Sequence, residues 1–210
     1  MTLTPTLLTF DIFGTVLDWR TGLYGSCERA GRPLKEGEFD RIVDDQGELE
    51  GGAFLDYATI TSRSVMNVIG LSEAKAQLVG AEVGRWPLYP DARVLSRLMD
   101  IVPCMAMTNS DRLHGEDIQA QLCFRLSDWL CAEEAQVYKP NPDFWHQMSA
   151  RSGVALGRDW WHVSAYADYD LAVANELGLT SVFVDRPHSR PGPAAHTVRT
   201  LTDLLALVAA

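Results

Sequence analysis

From Asp91 to the end of the chain, short strand-like runs alternate with helical segments, and that alternation leaves few folds open. Runs at 102–107 (VPCMAM), 128–132, Trp160–Ser164 and 181–185 read as strands. Helical spacing covers 92–99, 111–121, 142–152, 171–177 and Leu201–Val208. Strands joined through helices lie parallel, because a parallel partner needs a long crossover, and the helices then cover both faces. The apolar run Leu7–Phe10 reads as a further buried strand, ending in Asp11 with Gly14-Thr15 close behind. The expected architecture is α/β, a Rossmann-like doubly wound parallel sheet. Such sheets bind ligands beyond the carboxyl ends of their strands. Asp11 stands at such an end, where a carboxylate can serve as base, metal ligand or nucleophile. The plainer alternative is an aspartate that caps a turn.

Between Asp18 and this alternation the pattern is helical. KEGEFDRIVDDQGELE places Phe39, Ile42 and Val43 at helical spacing. Phe54, Tyr57, Ala58, Thr61, Val65 and Val68 fall near one face of a second segment, and a third covers 73–83. Glycines 51, 52 and 70 separate them, and RWPLYP marks a proline-set return. The expected organisation is a core of residues 1–18 and 88–210 with a small all-helical cap at 19–87. Asp44 to Glu50 reads as a solvated acidic face. Phe54, Tyr57, Trp86 and Tyr89 read as packing within the cap or between cap and core. His114, His146, His188 and His196 read as surface residues, and His162, at the start of a strand, as structural.

Net charge excludes some partners. At −10 over 210 residues the chain lacks the basic face that nucleic acid requires, and it has no polybasic membrane anchor. With 47% hydrophobic and 22% charged residues it can bury a full core. Cys27, Cys104, Cys123 and Cys131 form no CxxC pair, so neither a disulfide frame nor a zinc site is expected. MTLTPTLLTF lacks a basic signal region, and no run approaches the roughly 18 apolar residues of a spanning helix. The expectation is a cytoplasmic protein with a small-molecule substrate.

Three later stretches put polar groups just after a buried strand. Thr108-Asn109-Ser110-Asp111 offers a hydroxyl, an amide and helix-start N–H groups for an anion or a departing group. Ser110 or Asp111 can also simply cap the helix. In VYKPNP, Lys139 is pinned beside two prolines. A buried carboxylate needs a fixed cation nearby or it protonates, and Lys139 is the candidate. Ser164 through Asp170 ends another strand with two aspartates, Asp168 and Asp170, one of which can be a helix cap.

With Asp11-x-Phe13-Gly14-Thr15, Thr108-Asn109-Ser110, Lys139-Pro140 and Ser164–Asp170 in that order, the chain resembles the haloacid dehalogenase (HAD) superfamily. LTFDIFGTVLDW and VYKPNPDFW look closest to its type II (S)-2-haloacid dehalogenases. The resemblance implies a hydrolase that breaks a carbon–halogen or other carbon–heteroatom bond of a small 2-substituted carboxylic acid. Asp11 would attack carbon and form an ester, which water activated near Asp170 would cleave at the aspartyl carbonyl. Lys139 would keep Asp11 ionised, and Ser164 would orient Lys139 or the ester. Thr108 and Asn109 would hold halide or carboxylate, with Phe13 and Tyr166 beside them. A cap arginine is also implied, and Arg41 matches it, an ordinary surface ion pair being the alternative. A homodimer is compatible with the resemblance.

Departures keep alternatives open. Family dehalogenases usually carry Tyr where Phe13 stands, and asparagine or serine near Tyr166. The chain is one residue longer there, so Asp168 competes with Asp170, and Asp170 is favoured because it directly precedes the helix. The superfamily's phosphatases carry an acid at the position of Phe13 to protonate an alkoxide, and a magnesium carboxylate near Ala165. Neither is present, and a halide needs no acid, so no cofactor is expected. The alternatives are a phosphatase holding Mg2+ on Asp11, Asp168 and Asp170, or an inactive fold member that binds a metabolite or partner.

Overall fold

The computed structural model describes residues 4–210. One parallel sheet of six strands forms the centre, in the order β3-β2-β1-β4-β5-β6. β1 is Leu7–Phe10, β2 Cys104–Thr108, β3 Asp128–Cys131, β4 Trp160–Ser164, β5 Thr180–Val184 and β6 His196–Val198. All four residues of β1 and all five of β4 are buried, as expected for strands covered on both faces. β1 lies between β2 and β4, pairing Leu8 with Cys104 and Thr9 with His162. The strand order turns outward in both directions from β1, which makes its carboxyl end the switch-point crevice of a doubly wound sheet. Asp11 leaves β1 at that crevice.

Four helices follow β1 before the chain returns: α1 (Trp19–Arg29), α2 (Glu38–Glu50), α3 (Tyr57–Ile69) and α4 (Glu73–Gly80). Asp18 caps α1 by accepting from the Thr21 N–H at 3.0 Å, and Asp56 caps α3 by accepting from Thr59 N–H at 2.7 Å. α3 buries Tyr57, Ile60, Thr61, Ser64, Val65 and Ile69, a stripe at helical spacing that packs against α2 and α4. α4 stops at Gly80, short of 83, and a 3-10 turn at Val83–Arg85 leads back. Trp86 then lies directly on α1: a Cβ on Gly22 would stand 2.2 Å from its ring. Its indole N–H donates to Ser26 Oγ at 2.9 Å, one turn along the same face of α1, which ties the return segment to that helix.

The rest alternates as expected, with four local differences. α5 (Leu95–Met99) is preceded by a 3-10 turn at Ala92–Val94 instead of running as one helix from 92. A short helix α7 (Ala132–Ala135) begins where β3 ends. α6 (Arg112–Leu122), α8 (Asp143–Ser152) and α10 (Leu201–Val208) match the spacing. β6 was not expected: three residues after a Pro/Gly-rich loop are too few to show a period, and the edge position completes them through pairing with β5. Finally, Ala167–Leu171 form a π turn before α9 (Ala172–Glu176), with the Leu171 N–H donating to Tyr166 O at 3.2 Å. A π turn accommodates one more residue than an α turn, so residue counting from β4 to its helix does not follow α-helical spacing here. Cys27, Cys104 and Cys131 are buried and Cys123 exposed, all unpaired. Among the described residues no helix is long and apolar enough to cross a membrane.

Candidate active site

A cavity of about 720 Å³ lies over the carboxyl ends of β1 and β2, walled on the far side by α2 and the start of α3. Asp11, Phe13, Thr108, Asn109, Lys139, Tyr166 and Asp168 all line it. Asp11 is only 4% exposed. One oxygen accepts from the Thr15 hydroxyl at 2.7 Å and the other from Lys139 Nζ at 3.0 Å. Lys139 Nζ also donates to Asp170 Oδ2 at 2.9 Å, and Lys139 and Asp170 are both fully enclosed.

Asp170 is held from its other side by a chain that crosses two strands. His162 Nε2 lies 3.1 Å from Asp170 Oδ1, and His162 Nδ1 lies 2.8 Å from the Thr9 hydroxyl. Thr9 Oγ1 accepts from Trp160 Nε1 at 2.7 Å, so its own proton is free for Nδ1. That pattern puts the ring proton on Nε2, facing the carboxylate. Thr9 and His162 are register partners on β1 and β4, and parallel pairing is what aligns them.

Burial shapes the charges. It pushes the Asp11 carboxyl above its ordinary value; Lys139 pulls it back, and the charge on Asp170 adds to the upward push. Burial works against the charge on Asp170 too, but Lys139 and then His162 outweigh it and hold this carboxyl well below the usual range. Burial disfavours the Lys139 ammonium, yet its two carboxylate neighbours keep its pKa above the ordinary 10.5. The triad therefore reads as a charged lysine, a firmly ionised Asp170, and an Asp11 whose charge is poorly solvated. A poorly solvated carboxylate is the reactive member of such a set.

The loop after Asp11 is held from behind. The Thr15 hydroxyl accepts from the Ala165 N–H at 3.0 Å, and Arg186 donates to the Thr15 carbonyl at 2.9 Å while pairing with Asp91 at 2.9 Å. Gly14 has φ +88°, and a Cβ there would stand 2.7 Å from His188 Nε2 and 2.8 Å from Tyr166 Cε2. Gly14→Ala is expected to cost about 2 kcal/mol and to displace Tyr166. Urea unfolding checks the first effect and near-ultraviolet circular dichroism the second.

Several assigned residues sit differently from expectation. Asn109 does not present a free amide: Nδ2 donates to the Lys139 carbonyl and to Glu50 Oε2, both at 2.9 Å, and Oδ1 accepts from the Lys139 N–H at 2.7 Å. It clamps the lysine loop. Ser164 Oγ accepts from the Tyr166 N–H at 3.1 Å and makes no hydrogen bond to Lys139 or Asp11, so it shapes the strand exit. Asp170 stands behind Lys139 and does not line the cavity, whereas Asp168 does, 3.7 Å from Arg190. Arg41 lies outside the cavity; its side chain is 62% exposed and 3.6 Å from Glu38, because α2 turns that face to solvent. The opposite face of α2 carries the buried Gln46 and the half-buried Glu50 into the cavity wall, so the reading of 44–50 as a solvated face fails at those two positions while Asp44 and Glu48 stay exposed. His114 is buried rather than at the surface.

Arg190, Glu50, His162 and Arg186 belong to the site and were not singled out for it from the sequence. Arg190 comes from the loop between β5 and β6, lines the cavity, and donates to Asp44 of α2 at 2.6 Å. Phe54 and Tyr57 line the cavity as well, with Tyr57 against Phe13 at 5.4 Å between ring centres. Trp86 and Tyr89 do not line it; they pack.

Magnesium does not fit the donor set. Of the three carboxylates it would need, Asp170 is fully enclosed behind Lys139, which donates to its Oδ2, and Asp168 lies 3.7 Å from Arg190. Among the described residues no group of three His, Cys, Asp or Glu side chains is placed to hold a metal ion.

Neither family profiles nor curated proteins match the sequence. Solved structures do. A dehalogenase captured as an intermediate complex superposes with a TM-score of 0.87 at 21% identity, covering 100% of both chains. The L-2-haloacid dehalogenase of Xanthobacter autotrophicus with chloropropionic acid covalently bound gives 0.83 at 17% identity over 98% of each chain. The chain has the fold of the L-2-haloacid dehalogenases. A Bacillus subtilis protein described as a HAD-hydrolase and bound to magnesium also shares this haloacid dehalogenase fold, at 0.79 and 15% identity over 98% of this chain and 99% of that one. The haloacid dehalogenase fold therefore accommodates metal-bound and covalently substituted members, and the side chains must discriminate between them.

Proposed function

We propose that the protein is a metal-independent hydrolase of small 2-substituted carboxylic acids, most simply an (S)-2-haloacid dehalogenase working through an aspartyl ester. One observation carries this reading: Asp11 is the carboxylate on the cavity floor, and among the described residues the only cation it touches is a lysine. An Asp11 oxygen attacks the substituted carbon in line, and the bond to the halogen breaks with its electron pair. Each Asp11 oxygen has its own donor, the Thr15 hydroxyl on one and the Lys139 ammonium on the other, so the oxygen that remains the ester carbonyl keeps a donor that stabilises the oxyanion when water adds. The water oxygen remains on Asp11, and the 2-hydroxy acid departs with a proton from water. Asp170 and His162 keep Lys139 charged and in place. Helices of the 19–87 segment close over the core of 1–18 and 88–210 as a cap, fastened where Asp111 accepts from the Tyr57 N–H at 2.8 Å. Four unpaired cysteines suit a reducing cytoplasm.

Arg190, rather than Arg41, is the cation we assign to the substrate carboxylate, which it can take by releasing Asp44. Arg190→Ala is expected to raise KM about 10–100-fold, the loss of a charge-assisted hydrogen bond, with a smaller change in kcat. Arg41→Ala should stay within about twofold. Steady-state kinetics on (S)-2-chloropropionate separate the two.

The activity test uses purified protein in EDTA with (S)-2-chloropropionate, and separately an aryl phosphate with magnesium. Chloride release in EDTA supports the dehalogenase. Magnesium-dependent phosphate release without chloride release would replace it by a phosphatase.

A further inference from the structure

We propose that Glu50 is the proton donor of this site and delivers its proton to the departing atom, which extends the substrates to those with basic leaving groups. The proposal rests on the aspartyl-ester reading above. In-line displacement puts nucleophile and leaving atom on opposite sides of the reacting carbon. Asp11 lies on the floor formed by the sheet, so the leaving atom points toward the wall made by α2. Glu50 is on that wall, at the last residue of α2. Position 13, from which an acid could otherwise act, holds phenylalanine.

The local bonding suits a neutral carboxyl. Glu50 Oε2 accepts from Asn109 Nδ2 at 2.9 Å, the role of a carbonyl oxygen. Among the described residues Oε1 has no hydrogen-bond partner, which leaves an O–H there free to donate into the cavity. A carboxylate at a helix C-terminus also meets the negative end of the dipole. From the core, Glu50 faces Asp11 and Lys139; from neighbouring elements it faces the hydroxyls of Tyr57, Tyr138 and Tyr169. Asp44 and Glu48 of its own helix, with Asp168 and Arg190 opposite, complete the charged groups of the cavity. Burial, outweighing Asn109 and Lys139, pushes the Glu50 carboxyl up to about 8, so it is mostly protonated at neutral pH.

The cycle closes in protons. As the Asp11–carbon bond forms, the bond to the leaving atom breaks and that atom takes both the electron pair and the Glu50 proton. Water then adds to the ester and Asp11 is regenerated as a carboxylic acid, whose proton restores Glu50. The sum is water plus R–X giving ROH and HX. Chloride hardly needs the proton, whereas fluoride, an alkoxide or an amine nitrogen does.

The test compares wild type with Glu50→Gln, which still accepts from Asn109, on (S)-2-fluoropropionate and (S)-2-chloropropionate. The ratio of fluoride to chloride release is expected to fall about 100-fold. Wild-type fluoride release should decline above about pH 8 with the loss of the Glu50 proton, and chloride release should lack that limb. Infrared spectroscopy at pH 7 should show a protonated-carboxyl band that Glu50→Gln removes. Equal losses on both halides, or an ionised Glu50 at pH 7, would overturn the proposal. If wild type turns over neither halide, the dehalogenase reading fails separately, and the infrared result alone decides whether Glu50 is the acid of this cavity.

Discussion

Lys139→Met lowers the unfolding free energy by about 3–5 kcal/mol, the cost of removing one partner from a buried ionic cluster. Methionine matches the lysine stem in volume, so little packing is lost. What is lost is the ammonium between Asp11 and Asp170, at 3.0 and 2.9 Å, with Lys139 and Asp170 enclosed. The pH dependence carries a second signature. In the wild type the raised Lys139 pKa gives stability that is fully present below 10.5 and lost only as pH climbs through the native value. The depressed Asp170 pKa gives stability present above 3.8 and lost as pH falls through its native value. Neither contribution changes between pH 5 and pH 8. Without the ammonium both carboxyls rise, the native state holds more protons than the unfolded chain, and stability falls as pH increases. Urea unfolding at pH 5 and pH 8 should show the gap between wild type and Lys139→Met widening at the higher pH. A loss below about 1 kcal/mol, the range of a surface pair, would mean that the cluster is not the buried unit described here.

Asp11→Asn is expected to reduce turnover at least about 10⁴-fold, the scale of removing a nucleophile from a concerted set, without destabilising the protein. The amide can keep both contacts: its oxygen accepts from Lys139, and its NH2 donates to Thr15 Oγ. Burial has raised the native Asp11 pKa, so its ionised form at neutral pH opposes folding. Removing that charge should leave the melting temperature unchanged or higher, while Lys139 keeps Asp170. Activity falling while thermal stability does not is the mark of a group kept for chemistry. Loss of both together would mark Asp11 as structural.

The central strands and the floor of the site were legible in the sequence because β1, β2 and β4 each end in polar residues beyond what a cap requires. Leu7–Phe10 followed by Asp11, and a lysine pinned beside two prolines, are local patterns, and the fold brings them together at 3.0 Å. The doubt between Asp168 and Asp170 could not be resolved by counting, because a π turn changes the count. Arg41 had the right residue type, but helix phase decides which side of α2 faces the cavity, and the i, i+4 pair that faces it, Gln46 and Glu50, is polar. A polar stripe on an acidic helix gives no hydrophobic contrast from which to read the buried side. Arg190 was hidden in a Pro/Gly-rich loop with no period at all. His162 sits in a strand whose neighbours are apolar, and its value comes from Thr9, its register partner across the sheet. Absence of an acid at position 13 says less against phosphate esters once Glu50 lines the same cavity; enclosure of Asp170 behind Lys139, away from the cavity, says more.

The most direct measurement is a single turnover in H2(18)O with protein in excess over (S)-2-chloropropionate, followed by mass spectrometry of the peptide carrying Asp11 and of the lactate released. Attack by Asp11 and hydrolysis at its carbonyl leave the heavy oxygen in the Asp11 carboxylate and none in the first product. Heavy oxygen in the product with Asp11 unlabelled would mean that water attacks the substrate carbon directly, and the covalent account would be wrong.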